Sequence, residues 1–295
     1  MCNKIGTLLA GLFLLAQGTA AAGPVIAEGA QLTLVSDDFA FTEGPATDSE
    51  GNVFFTDQPN NKIWKYGVDG KLSLFMDDAG RANGLYFDGD GKLLACADDK
   101  GQLWSIDPGG EVSVLLDNFD GRRLNGPNDL WVAPDGGIYF TDPFYLRDYW
   151  DRSEKEIEAE AIYYLPPDRK QVVRVAGDLV KPNGIIGSAD GGKLYVADIG
   201  ANKTYVYSVA EDGRLSDKRL FTEMGSDGMT LDAQGNLYLT GKGVTVFDSE
   251  GQQVEHISVP EDWTANVTFG GEQRRTLFIT AMDSVYTLEM RVAGL

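Results

Sequence analysis

Six oxygen-bearing side chains recur at matching positions along the chain. Each lies 14 or 15 residues before the last residue of a short motif rich in aromatic and β-branched residues. The six residues are Glu43, Asn83, Asn128, Asn183, Asp227 and Asn266. Carboxylate and amide oxygens are hard ligands that suit Ca²⁺, and suit Mg²⁺ or Mn²⁺ less well. The set therefore predicts a divalent-cation site, provided that the fold brings the six positions together.

Turn formation is the alternative explanation for the same residues. Four of the six precede a glycine, and Asn-Gly is an ordinary turn signal. Asn and Asp side chains can also bond to their own local backbone. A turn does not explain Glu43, however, because glutamate is a poor turn former. We therefore favour the metal site.

Histidine and cysteine offer few other routes to catalysis. The chain has one histidine, His256, and two cysteines, Cys2 and Cys96. A single histidine excludes a multi-histidine metal site and the usual Zn²⁺ ligand sets. We expect His256 to lie in an outer strand, and Cys96 to be a small buried side chain in an apolar strand.

The motifs that follow the six polar residues indicate the elements that position them. They form six copies: Val53–Asp57, Leu93–Ala97, Ile138–Asp142, Leu194–Asp198, Leu237–Gly241 and Leu277–Ala281. Further strands follow most copies, giving four strands per unit of about 40–45 residues, which is the period of a β-propeller. The sequence therefore predicts an all-β, six-bladed β-propeller. Its innermost strands would carry the six polar side chains towards the central axis.

The two ends of the repeat pattern predict how the ring closes. The sixth copy lacks a fourth strand after Ser284–Met290, whereas Gln31–Val35 is an unpaired alternating strand. This N-terminal strand can complete the last blade and remove free sheet edges. A β-sandwich followed by a small β domain is the alternative, but it does not explain six copies in register. We predict one propeller domain over residues 23–295.

Residues 1–22 are predicted to form a secretory signal peptide. Ile5–Ala16 is apolar but too short to span a membrane, and Ala20–Ala22 offers small residues for cleavage. A retained anchor is the alternative. We expect export to the periplasm or the medium, with no membrane span after cleavage.

The charge balance bears on the partners. The chain has 45 Asp and Glu residues against 25 Lys and Arg, for a net charge of −20. Such a surface repels nucleic acid and anionic lipid. We expect a small-molecule substrate and no nucleic-acid partner, and the oligomeric state stays open.

The longest interruption of the repeats runs from Pro143 to about Ala161. It opens with aromatic residues, and its acidic stretch Glu154–Glu160 is a candidate helix. A loop of this length is uncommon without a function, so it is a candidate lid that supplies an aromatic wall. Packing against a neighbouring blade is the alternative. The candidate substrate-binding residues are Asn83, Asn125, Phe144, Tyr145 and Trp150.

Several motifs together resemble the gluconolactonase/regucalcin (senescence marker protein) family over about residues 40–290. They are Leu124–Leu130, Asp135–Pro143, Glu43–Pro45, Lys181–Gly184, Ser226–Met229 and Asn266–Gly271 with Leu277–Thr280. The resemblance implies a six-bladed propeller with one catalytic divalent cation, usually Ca²⁺. Its implied ligands are Glu43, Asn128, Asn183 and Asp227. Relatives hydrolyse sugar lactones, and the similar diisopropyl-fluorophosphatases hydrolyse P–F bonds.

Two positions depart from the family pattern. Many members read Cys-Glu-His where this chain has Cys96-Ala97-Asp98, and regucalcin-like members carry Arg where this chain has Gly126. A contact to a sugar hydroxyl or carboxylate is therefore altered. The departures bear on gluconolactone as the substrate more than on lactone hydrolysis.

The predicted reaction is hydrolysis of a small lactone, such as a sugar or aldonolactone-like compound. One divalent cation, with Ca²⁺ preferred over Mg²⁺, Mn²⁺ or Zn²⁺, can polarise the carbonyl and orient a water. Asp227 is the predicted general base and Glu43 the second choice, and ligation alone is the alternative for both. The scaffold also allows a metal-dependent phosphotriesterase or fluorophosphatase, or a non-catalytic binding propeller plugged by Ca²⁺.

Overall fold

The computed structural model describes residues 24–295 and shows six four-stranded antiparallel sheets. The innermost strands of successive sheets contact one another, and the last contacts the first, so the sheets form a closed ring of six blades. This all-β, six-bladed propeller confirms the predicted fold. The predicted signal peptide, residues 1–22, lies outside the described residues.

Each blade runs from its innermost to its outermost strand in chain order, except the last. Strand β1 (Thr33–Ser36) precedes the first blade. Blades one to three comprise β2 (Thr42–Thr47), β3 (Val53–Asp57), β4 (Lys62–Tyr66), β5 (Leu72–Asp77); β6 (Ala82–Phe87), β7 (Leu93–Ala97), β8 (Gln102–Ile106), β9 (Val112–Leu116); and β10 (Leu130–Val132), β11 (Ile138–Asp142), β12 (Ala161–Leu165), β13 (Val173–Ala176). Blades four to six comprise β14 (Pro182–Gly187), β15 (Lys193–Asp198), β16 (Lys203–Val209), β17 (Leu215–Thr222); β18 (Met229–Leu231), β19 (Leu237–Gly241), β20 (Gly243–Phe247), β21 (Gln253–Ile257); and β22 (Asn266–Gly270), β23 (Thr276–Ala281), β24 (Ser284–Glu289).

Strand β1 closes the ring as the outermost strand of blade six. It pairs antiparallel with β24, with Thr33 opposite Thr287 and Leu34 opposite Tyr286. The predicted closure is confirmed, although the strand begins at Thr33 rather than Gln31. With β1 added, blade six has four strands like the other blades, and β24 is not left as a free sheet edge.

The second strand of each blade is buried on both faces between its neighbours. All five residues of β7 are buried, for example, and Leu93 and Ala95 pack in one cluster with Phe54 of blade one. Burial on both faces explains why these strands read as continuous apolar runs rather than as alternating patterns. Cys96 is fully buried there, as predicted. His256 is exposed in outermost strand β21, also as predicted.

The insertion between β11 and β12 contains no helix. Its acidic stretch Glu154–Glu160 is irregular, so the candidate helix was wrong. Glutamates at positions 154, 156, 158 and 160 place like charges four residues apart on a helix, which destabilises it. Across residues 24–295 there is no helix long and apolar enough to cross a membrane.

Candidate active site

The six polar residues meet at one end of the central channel, where the innermost strands begin. We call them the axial ring: Glu43, Asn83, Asn128, Asn183, Asp227 and Asn266. Asp227 is half-buried and the other five are buried. Asn128 and Asp227 lie two residues before β10 and β18, and the others lie within their strands. The six residues therefore hold equivalent places at the start of the six innermost strands.

Threonines in the second strands tie the ring backbone from blade to blade. The Thr56 hydroxyl donates to the carbonyl oxygen of Asn83 at 3.1 Å, and the Thr141 hydroxyl donates to that of Asn183 at 2.7 Å. Each bond joins one blade to the next. The threonine of the repeated Thr-Asp motif thus fixes the height of the neighbouring ring residue along the axis.

The aspartate of the same motif holds the loop that leads into the ring. The Asp142 carboxylate accepts hydrogen bonds from the backbone N–H groups of Asn125, at 2.9 Å, and Gly126, at 2.8 Å. Asp57 and Asp198 bind the equivalent loops of blades one and four in the same way. Burial raises the pKa of Asp142 to about 7, although both N–H bonds favour its charged form.

The glycines after ring residues serve close packing rather than turns. Gly44, Gly84 and Gly184 lie inside innermost strands. A Cβ on Gly84 would come within 2.6 Å of the Asn128 carbonyl oxygen, and one on Gly228 within 1.9 Å of Asn266 Cγ. The strands approach the axis so closely that no side chain fits. The Asn-Gly pairs are therefore not turn signals here.

Asp227 is held by two donors. Its Oδ1 accepts from Asn183 Nδ2 at 2.8 Å, and its Oδ2 accepts from Trp263 Nε1 at 2.7 Å. Asn183 Nδ2 also donates to the Tyr145 hydroxyl at 3.0 Å. With its nitrogen so engaged, Asn183 Oδ1 is buried and has no hydrogen-bond partner among residues 24–295. A buried, unpartnered acceptor beside a carboxylate is an arrangement that a cation satisfies.

Glu43 faces the same centre from blade one. Its Oε2 accepts from Gly44 N at 2.6 Å and from Asn266 Nδ2 at 3.3 Å. Burial raises the pKa of Glu43, and the nearby charge of Asp227 raises it further. Burial raises the pKa of Asp227 to about 6, against the hydrogen bonds from Trp263 and Asn183. The two carboxylates share one site, where ionisation of both needs a compensating positive charge.

Sequence reasoning missed two residues of this site, Trp263 and Asp129. Trp263 lies three residues before ring residue Asn266, and a large aromatic side chain in that loop was the available signal. Asp129 gave no signal, because consecutive side chains of a strand point to opposite faces and Asn128 was expected to face the axis. In the structure β10 begins only at Leu130, so this alternation does not apply to Asp129. Asp129 Oδ2 accepts from Asn266 Nδ2 at 3.4 Å, and burial raises the pKa of Asp129 to about 7. Asp129 and Asn266 also border a cavity of about 410 Å³ in the rest of the channel.

The insertion of residues 143–160 reaches the ring through Tyr145, whose hydroxyl contacts Asn183. Trp150 is buried instead, and its Nε1 donates to the Asp98 carbonyl oxygen at 3.1 Å. Asn125 is fully buried, and its Nδ2 donates to the Ala159 carbonyl oxygen at 3.0 Å. Of the predicted substrate-binding residues, Tyr145 and Asn83 therefore lie at the ring. Phe144 packs against Trp150, with ring centroids 5.5 Å apart.

The two departures from the family pattern meet in space. Arg147 Nε lies 3.3 Å from Asp98 Oδ2, which also accepts a hydrogen bond from the Tyr149 hydroxyl. A Cβ on Gly126 would come within 2.8 Å of Asp98 Oδ1 and 3.1 Å of the Trp150 ring. Asp98 and the insertion therefore occupy the space into which a side chain at position 126 would project.

The ring residues fit a hard divalent cation. Among residues 24–295, no three Asp, Glu, His or Cys side chains group in a way that could hold a metal. A cation at the ring would therefore combine the carboxylates of Glu43 and Asp227 with amide oxygens. Asn183 Oδ1 is the unpartnered oxygen available for this, and Asn128 is buried in the same ring.

Known proteins are similar to this chain in sequence and in fold. A gluconolactonase of Zymomonas mobilis is 31% identical over 294 aligned residues, which cover 89% of this chain and 82% of that protein. A 6-deoxy-6-sulfogluconolactonase of Pseudomonas putida is 31% identical, and the match covers 57% of each chain. The solved structure of a gluconolactonase of Xanthomonas campestris superposes with a TM-score of 0.84 at 31% identity, covering 90% of this chain and 91% of that one. The sequence model of the protein family described as the SMP-30/Gluconolactonase/LRE-like region matches residues 29–283. The chain therefore belongs to the SMP-30/gluconolactonase/LRE-like family.

Proposed function

We propose that the chain is a hydrolase of small lactones, such as sugar or aldonolactone-like compounds, and that the axial ring is its active site. The observation that carries the proposal is the convergence of Glu43, Asp227 and the unpartnered Asn183 Oδ1 at one end of the channel. The names of the relatives support the substrate class, because both curated relatives described above are lactonases. Their lactones differ, so the proposal stops at the class.

The proposed cofactor is one divalent cation, with Ca²⁺ preferred over Mg²⁺, Mn²⁺ or Zn²⁺. Glu43, Asn128, Asn183 and Asp227 would hold it, since these ring members supply two carboxylates and two amides of hard-ligand type. When bound, such a cation supplies Lewis-acid polarisation of the lactone carbonyl.

Asp227 is the proposed general base. It is half-buried whereas the other five members of the ring are buried, so it is the member most open to a water and a substrate. Trp263 and Asn183 each hold one carboxylate oxygen, which fixes the plane of the group. Asp227 takes a proton from the water that attacks the lactone carbonyl. Burial raises its pKa to about 6, which brings it closer to the value that favours base catalysis near neutral pH.

Glu43 supplies the second carboxylate of the site from blade one. Its Oε2 is held by Gly44 N and Asn266 Nδ2, so its orientation is fixed by blades one and six. It is the second choice for the base. Exchange of Glu43 for glutamine should act mainly through weaker cation binding.

A panel of lactones assayed beside a panel of phosphotriesters tests the function. We expect hydrolysis of one or more small lactones, loss of that activity in a chelator, and its return with added Ca²⁺. Hydrolysis of phosphotriesters with no lactone activity would replace the proposal with the phosphotriesterase function. No activity on either panel, in protein shown to contain the cation, would leave the binding propeller.

A further inference from the structure

Cationic side chains lie against the aromatic rings of the insertion, although the insertion itself holds more acidic than basic residues. Four cationic residues stack on its aromatic rings, and we call them the cationic rim: Arg81, Arg147, Arg152 and Lys181. Among residues 24–295, only Arg147 of these four has a carboxylate within salt-bridge distance, namely Asp98 at 3.3 Å. In a chain so rich in acidic residues, three unpaired cations around one segment require an explanation.

Lys181 and Arg147 lie nearest to the axial ring. Lys181 Nζ is 4.4 Å from the centroid of the Tyr145 ring, and the Arg147 guanidinium carbon is 5.5 Å from it. The hydroxyl of the same tyrosine contacts Asn183. Both cations are therefore one aromatic side chain away from the proposed reaction centre.

The Arg152 guanidinium has more N–H donors than the acceptors around it use. Its guanidinium lies 4.3 Å over the Trp150 ring, and one nitrogen donates to the Asn125 carbonyl oxygen. Its Nε and Nη1 are buried and have no acceptor in the part of the chain that the structure describes. Arg81 stacks over the Tyr149 ring at 4.3 Å and donates one bond to the Pro59 carbonyl oxygen at 2.7 Å. Stacking over a ring leaves the edge of a guanidinium free for an acceptor.

Two acidic groups near the rim, Asp98 and Glu160, are already engaged. Asp98 is bound by Arg147 and Tyr149, and Glu160 accepts from Phe144 N at 3.1 Å and lies 3.4 Å from Lys155 Nζ. Neither contacts the ammonium of Lys181. A purely structural role is the competing explanation, since Lys181 Nζ also donates to the Phe144 carbonyl oxygen at 3.2 Å.

Resting on the proposed lactonase function, we propose that the cationic rim binds an anionic substituent of the lactone, placed away from the reacting carbonyl. The substituent is a carboxylate, phosphate or sulfonate. Guanidinium and ammonium groups bind such anions through charge-assisted hydrogen bonds. Lys181 and Arg147 flank Tyr145 beside the axial ring, so an anionic substituent there would gain charge-assisted hydrogen bonds that a neutral sugar does not make.

The test compares gluconolactone with the same lactone carrying phosphate, sulfonate or carboxylate at C6. The readout is the ratio of kcat/KM for each anionic lactone to kcat/KM for the neutral one. In the wild type we expect a ratio of about ten or more. Lys181→Met and Arg147→Met should each lower it about tenfold. Comparing the three anions identifies which group the rim prefers.

Lys218→Met is the matched control. Lys218 Nζ lies 4.3 Å over the Tyr205 ring, which is nearly the geometry of Lys181 over Tyr145, but it belongs to outermost strand β17. This variant should keep the wild-type ratio. Salt gives a readout that needs no variant, because raising it from about 0.05 to about 0.5 M should lower the wild-type ratio.

The outcomes separate this inference from the proposed function. A wild-type ratio near one, or a ratio that Lys181→Met and Arg147→Met leave unchanged, overturns the rim proposal while lactone hydrolysis stands. If the wild type hydrolyses no lactone, calorimetry with gluconate and 6-phosphogluconate as probes decides whether the cationic rim binds an anionic substituent. Tighter binding of 6-phosphogluconate that is lost in Lys181→Met supports the rim, and equal binding of the two probes overturns it.

Discussion

The Asp227 carboxylate meets two requirements for a general base in this ring, namely access for a water and a fixed orientation. It is accessible, because it is half-buried where the other ring residues are buried, and it is oriented, because Trp263 and Asn183 each hold one of its oxygens. Glu43 is less accessible and is held by Gly44 and Asn266. The roles proposed for the two acids follow from this difference in surroundings.

Exchange of Asp227 for asparagine separates its role as a base from its role as a ligand. Asn keeps the size and one oxygen but cannot accept a proton from water at neutral pH. We expect turnover of the lactone to fall by the roughly 10²–10⁴-fold typical of the loss of a general base, with the cation retained. Kinetics together with elemental analysis of the same preparation measures both. A metal-loaded, fully active Asp227→Asn enzyme would remove Asp227 from this role.

The innermost strands position the ring because they approach the axis closely. Gly228 marks the limit of that approach, since a Cβ there would lie 1.9 Å from Asn266 Cγ, the side chain that also contacts Glu43 and Asp129. Packing at Gly228 in blade five therefore affects the positions of side chains from blades six, one and three.

Gly228→Ala should both destabilise the fold and disturb the ring. Overpacking of this kind costs about 1–3 kcal/mol, so we expect a melting temperature lower by several degrees, about 2–4 °C per kcal/mol for a chain of this size, and weaker cation binding. Gly89→Ala is the matched control, because a Cβ there meets no atom within 4 Å. Thermal melts of both variants and a Ca²⁺ titration of each measure the effects. Equal stability and equal cation affinity in the two variants would show that the close approach at Gly228 is not needed.

The repeat pattern was enough to predict the elements and the ring. Residues such as Thr56 and Asp57 recur at the same register in several blades, and a common register implies a common place in a symmetric fold. Asp129 could not be predicted, because its orientation depends on β10 starting at Leu130 rather than at Asn128. The insertion has no counterpart in the other blades. Its contacts with Asp98 and Asn183 therefore follow from tertiary packing alone.

At the scale of the whole molecule, several blades place acidic groups in buried positions, in the axial ring and beside it. Burial raises the pKa of Asp129 and Asp142 to about 7 each, that of Asp227 to about 6, and that of Glu43 above its ordinary value. The folded state therefore keeps these protons to a higher pH than the unfolded chain, in which Asp titrates near pH ~3.9. The contribution of these carboxyl groups to the free energy of unfolding is present at low pH and is lost as the pH rises from about 4 to about 7.

The metal-free protein should accordingly melt at a lower temperature near pH 8 than near pH 5. Added Ca²⁺ should reduce this fall, because it compensates the charges of Glu43 and Asp227 when they ionise. Melting curves at about pH 5 and about pH 8, at constant salt and with chelator or Ca²⁺, give the comparison. A melting temperature that rises with pH in chelator would contradict the raised pKa values of the buried carboxyls.

The central claim is that lactone hydrolysis depends on one divalent cation held by Glu43, Asn128, Asn183 and Asp227. The most direct measurement is a titration of chelated, metal-free protein with Ca²⁺, in which lactone turnover and bound metal are followed together. We predict that turnover is negligible at the start, rises in proportion to bound cation, and saturates at one cation per chain. Full lactone turnover in protein shown by elemental analysis to be free of metal would contradict the account.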